Sequence, residues 1–153
     1  MRNSLLISLC VLLFASCAST RNIPSQTAVE KSIFDTEKVS EYRVLIKINQ
    51  AELSGIMIVK YMNDEWRGTL INEFGIKAFD FIAPKGKCKL QNVIPFLDKW
   101  YIRKTIESDF VYLLWDEQKS DVKGKSFTQL SDGAFVLKNE KRGIEYLFQP
   151  IEK

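Results

Sequence analysis

Residues 66–81 read WRGTLINEFGIKAFDF, and how this run is paired decides the fold. Its apolar side chains keep even positions from Trp66 through Leu70, Phe74, Ile76 and Ala78, then change to odd at Phe79 and Phe81. A strand pattern of period two cannot change parity without an extra residue, so a bulge, a bend or a short break is expected between Glu73 and Phe79. Gly68 and Gly75 would permit that bending, as strongly curved sheets require.

Upstream, Glu41 to Asn49 alternates cleanly, with Tyr42, Val44, Ile46 and Ile48 on one face and Arg43 and Lys47 on the other. Glu52 to Tyr61 is apolar on both faces, which predicts a central place in the sheet. The short link Asn49-Gln50-Ala51 makes the two strands antiparallel.

Downstream, Pro84 to Lys87 reads as a turn and Lys89 to Ile94 as a fourth strand. Between Asp98 and Glu117, Trp100, Ile102, Ile106, Phe110, Leu113 and Leu114 recur at mostly helical spacing. Asp98 would cap that helix, or Pro95 would open it a turn earlier. Arg103, Lys104, Glu107 and Asp109 are assigned to its solvated side. Past Gly124, Ser126–Leu130 and Ala134–Lys138 flank Ser131-Asp132-Gly133, where Asp-Gly signals a tight hairpin. NEKRG then turns the chain into a last strand, Ile144–Gln149. About seven antiparallel strands and one main amphipathic helix predict an α+β domain, a curved, half-barrel-like sheet covered by the helix.

The amino terminus sets the address. Arg2 precedes an apolar run from Leu5 to Phe14, too short to span a bilayer and laid out as a secretory signal. Phe14-Ala15-Ser16-Cys17 resembles a bacterial lipobox, which implies cleavage before Cys17 and lipidation of its sulfur with acyl groups such as palmitate; the alternative is an ordinary cut after Ala18. The expected organisation is a signal peptide over 1–16, a lipidated cysteine and polar tether over 17–40, and a single domain over 41–153. Within the tether, a short helix from Pro24 would present Val29, Ile33 and Phe34. Cys88 is then left without an intramolecular partner and is expected to be buried and inert.

Composition removes much chemistry. The chain has no histidine, so Ser-His-Asp and Cys-His nucleophiles are excluded, along with the commonest metal ligand. A net charge of +3 gives no reason to invoke nucleic acid, and no metal or cofactor is expected. Glu73 and Asp80 flank the aromatic run as a conceivable acid and base, but solvated carboxylates explain them, and no catalytic residue is assigned. Lys85, Lys87 and Lys89 in KGKCK read as a solvated turn that could touch anionic headgroups. Aromatics make up 12% of the chain and gather between the third strand and the helix, where they would either fill a core or line an apolar cleft. The residues expected to face such a ligand are Trp66, Phe74, Phe79, Phe81, Ile106 and Phe110.

The order of lipobox, polar tether, amphipathic helix and long strands carrying LSGIMIVK and WRGTLINEFGIKAFDF resembles lipoprotein-localisation proteins of the LolA/LolB type. That resemblance implies an unclosed antiparallel barrel whose concave face, covered by helices, accepts acyl chains; no functional residue is carried over from it. The expectation is a non-catalytic envelope lipoprotein, held by its lipid to a membrane, by analogy the outer one, and binding an acyl chain or other apolar ligand between sheet and helix. The alternative is an accessory or scaffolding lipoprotein that docks on an envelope protein partner and has no ligand cavity.

Overall fold

A computed structural model describes residues 33–115 and 124–151. The signal segment, Cys17, the tether up to residue 32 and the end of the helix at Asp116-Glu117 lie outside the described residues. The elements are β1 (Ser40–Ile48), β2 (Ala51–Met62), β3 (Glu65–Asn72), β4 (Lys77–Pro84), β5 (Lys89–Gln91), α1 (Trp100–Trp115), β6 (Lys125–Gln129), β7 (Phe135–Asn139) and β8 (Ile144–Pro150). The strands form one sheet in the order β5-β4-β3-β2-β1-β8-β7-β6, every neighbouring pair antiparallel. The α+β class holds, with eight strands among the described residues where about seven were expected.

The extra strand comes from WRGTLINEFGIKAFDF, which contains both a break and a bulge. Asn72 ends β3 and pins the following turn: its side-chain oxygen accepts the N–H groups of Phe74 and Ile76, at 3.0 and 2.9 Å. Gly75 takes the left-handed conformation there, at φ +76°. Register then runs from Leu70 opposite Phe79 to Ile71 opposite Lys77, so Ala78 is the inserted residue. Ala78 and Phe79 are consecutive and both buried, which is the parity change in physical form.

Gly68 serves packing more directly than bending. It lies opposite Phe81 across the β3–β4 pair, and a Cβ at this position would overlap the Phe81 ring. The ring occupies the space that the missing side chain leaves.

One face of the sheet carries Val44, Ile46, Met57, Leu70, Phe79, Phe81, Tyr146 and Phe148, all fully buried. Helix α1 covers it with Ile102, Ile106, Phe110 and Leu113. Phe110 sits edge-on to Phe79, Phe81 and Tyr146, at centroid distances of 5.9, 4.9 and 6.2 Å. Strand β2 is central, as expected, although its second apolar face is not covered: Ile56 is 45% exposed.

The packed body begins before β1. Residues 33–39 are bends, not helix, yet Phe34 is buried among Tyr42, Trp66, Phe135 and Phe148, with centroids 5.3 to 6.4 Å away. The remainder of the short helix expected from Pro24 lies outside the described residues. Helix α1 opens with Arg103 N–H bonded to the Lys99 carbonyl; the Asp98 carboxylate takes the Arg103 guanidinium at 2.6 Å. The β6–β7 connection spans Leu130 to Ala134, longer than a two-residue hairpin, and turns at Gly133 with φ +79°.

Candidate functional site

Five of the six residues expected to line a cleft are core residues. Trp66, Phe79, Phe81, Ile106 and Phe110 are buried, and the four aromatic rings among them contact other rings of the core. Phe74 does not face the covered side of the sheet at all: it stands in the β3–β4 turn, 86% exposed. The Asn72 bonds that close this turn hold its backbone, and its ring has no strand to pack against.

A depression lies on the other side of α1. It is an open groove of about 860 Å³ along the outer edge of β5. One wall is the helix stripe Trp100, Arg103, Lys104, Glu107, Ser108 and Val111, at spacings of three and four that share one face. The opposite wall comes from Glu65, Ile82, Pro84, Lys89 and Gln91 of the strands, with Lys87 and Cys88 of the β4–β5 turn. Periodicity could not have found this site, because three separate strands contribute to it.

The edge beneath the groove is closed to further strand pairing. Leu90 lies opposite Phe81, and its N–H donates to Glu107 Oε1 at 3.1 Å. Its carbonyl accepts from Arg103 at 2.8 Å. An edge strand offers unpaired backbone groups to any passing chain, and here two helix side chains take that position. Lys104 reaches the other Glu107 oxygen at 3.3 Å. Cys88 is a free, half-buried thiol; burial first, then the Glu107 charge, pushes it up to about 12, so it is protonated at neutral pH and slow to react there.

A second polar cluster lies under α1. Asp109, which the sequence assigned to the solvated side, is 0% exposed. Its carboxylate accepts the Asn139 amide at 2.7 Å and the Tyr146 hydroxyl at 2.9 Å, and pairs with Lys125 at 3.0 Å. Lys125 also donates to the Ser108 carbonyl and hydroxyl, both at 2.9 Å. Burial, followed by the charge and hydrogen bond of Asp109, raises the Tyr146 phenol well above its ordinary value. A carboxylate with three partners satisfies the condition for burying a charge. This network ties α1 to β6, β7 and β8, whereas Arg103 and Glu107 tie it to β5.

Glu73 and Asp80 serve different partners. Glu73 accepts from Ser54 at 2.7 Å. Asp80 accepts from Asn92 at 2.6 Å and from Lys77 at 3.0 Å. Burial alone would raise the Asp80 carboxyl, but those two donors help to hold it below its ordinary value. Among the described residues no group of three or more acidic or cysteine side chains is placed to hold a metal ion.

Large apolar side chains are exposed at one end of the sheet. Phe74 and Ile76 occupy the β3–β4 turn, and Phe96 follows Ile94, whose N–H bonds the Ala78 carbonyl near the start of β4. Trp100 and Tyr101 begin α1 just beyond, Trp100 being 79% exposed. No helix among the described residues is long and apolar enough to cross a membrane. Comparison of the chain with protein-family models and with curated proteins gave no match.

Proposed function

We propose that this chain is a lipid-anchored, non-catalytic bacterial envelope protein that docks on a larger envelope assembly as an accessory or scaffolding lipoprotein. The observation that carries this reading is a set of buried, mutually packed rings between sheet and helix, among the described residues, combined with exposed apolar groups at one end. Phe34 and Phe110 are buried against Trp66 and Phe81, while Phe74 and Ile76 are left in water. An exposed apolar group of this kind is typical of an interaction site.

A half-barrel form of the sheet fits the same reading. Eight strands laid flat would set their edges more than about 30 Å apart, whereas a helix with its side chains is only about 10 Å wide. Yet α1 bonds both to Leu90 of β5 and to Lys125 of β6. Curling of the sheet round the helix reconciles these contacts. The resemblance to lipoprotein-localisation proteins supports fold and address alone, since no functional residue was carried from it. The absence of histidine and the separate partners of Glu73 and Asp80 support a non-catalytic role.

Two measurements test the proposal. Palmitate labelling of the expressed full chain is expected to disappear in Cys17→Ser, and persistent labelling would remove the anchor. A photo-crosslinking residue at position 74 is expected to capture one reproducible envelope protein, and the same residue at position 85, in the β4–β5 turn, none. Equal capture from both positions, or none from either, would reject docking through this end.

A further inference from the structure

We propose that the groove along the outer edge of β5 binds an amphiphile with an anionic head, the head paired with Lys87 and Lys89 and the chain laid between Trp100, Ile82 and Val111. This site is distinct from the buried face of the sheet and from the turn that carries Phe74, and it stands whether or not the chain is anchored. Its volume of about 860 Å³ falls within the range of small-ligand sites.

The charge balance selects the head. Of the two carboxylates in the groove, Glu107 is engaged by the Leu90 N–H and by Lys104, and Glu65 by Arg67. Arg103 is held by Asp98 and the Leu90 carbonyl. Lys87 and Lys89 are the remaining cations, and among the described residues neither has a carboxylate partner. A carboxylate or phosphate head offers oxygens to both ammonium groups.

The wall chemistry selects the tail. Ile82, Pro84, Val111 and Trp100 supply apolar surface, and most of the exposed groove lining is apolar. Trp100 gains cover only if something lies against it. A strand cannot be that occupant, because Arg103 and Glu107 already hold the outward backbone groups of Leu90. A flexible chain without hydrogen-bonding groups fits where a peptide does not.

The test uses the full chain with laurate below its micelle concentration, butyrate as head without tail, dodecyl maltoside as tail without charge, and phosphatidylglycerol vesicles as a bilayer source of the head. Cys88 reports location, through its slow alkylation at raised pH, read on its own peptide by mass spectrometry. Laurate or the vesicles are expected to bind and to slow that alkylation. Reversing both charges, in Lys87→Glu with Lys89→Glu, is expected to weaken binding about tenfold, the scale of two exposed ion pairs. Lys87→Gln with Lys89→Gln gives a smaller loss and guards against misfolding of the reversed pair. Laurate binding without vesicle binding assigns a free acid, and the opposite result a bilayer lipid. Equal binding of dodecyl maltoside, tight binding of butyrate, insensitivity to charge reversal, unchanged Cys88 alkylation, or no binding of laurate and vesicles alike would each overturn the proposal.

Discussion

Asp109 is where a residue's chemistry and its position disagree. Ile102, Ile106, Asp109 and Leu113 are separated by four, three and four residues, so Asp109 lies on the helix stripe that faces the core. Its charge argued for water and its spacing for burial, and spacing prevailed because Lys125, Asn139 and Tyr146 satisfy the carboxylate. Those partners come from β6, β7 and β8, too far along the chain for local pattern to announce them. Asp109→Ala would strand a nearly buried lysine and two donors, and is expected to cost about 3–5 kcal/mol in urea unfolding. Gly68→Ala fails differently: its methyl group meets the Phe81 ring and, at 2.7 Å, the Ile58 carbonyl oxygen. A loss of about 1–3 kcal/mol is expected by the same assay, the usual scale of overpacking.

At the scale of elements, the run 66–81 was legible in its essentials. The parity change placed an irregularity between Glu73 and Phe79, and the inserted residue, Ala78, falls inside that interval. What the alternation did not disclose was the hairpin inside it, because the turn residues Phe74 and Ile76 continue the apolar pattern while pointing into water. Hydrophobicity marks a strand only where a neighbouring surface exists to receive it. Helix α1 was legible by period and its outward stripe was not, since that stripe acquires meaning only beside β5. Arg103→Ala with Glu107→Ala would leave the Leu90 N–H and carbonyl without their present partners. Faster amide exchange at Leu90 is expected, with a loss of about 1–3 kcal/mol and a greater tendency to self-associate through the bared edge.

For the molecule as a whole, alkaline pH is the informative perturbation. Cys88 has an ordinary value of 9.0 and is pushed up to about 12; Tyr42 and Tyr146 are both raised above 10.0. Each releases its proton more readily in the unfolded chain, which therefore binds fewer protons there than the native state. The stability these three groups contribute is thus full below pH 9 and is lost as pH rises through the window from 9 to 12 and beyond. Tyr146→Phe is expected to flatten the upper part of that decline in unfolding measured at stepped pH, despite losing one bond to Asp109 at neutral pH. Replacing Phe34 is also a global perturbation: Phe34→Ala empties a socket shared by β1, β3, β7 and β8 and is expected to cost about 3–5 kcal/mol.

That socket changes the mechanics of attachment. If the chain is held by lipid at Cys17, the leash ends at Phe34 rather than at the first strand, and even fully drawn out it reaches at most about 60 Å. A pull from the membrane would arrive at a ring clasped by four others before it reached the hydrogen-bonded edge of β1. The sheet would therefore take tension through its aromatic centre, with Phe34 as the cleat to which the line is tied.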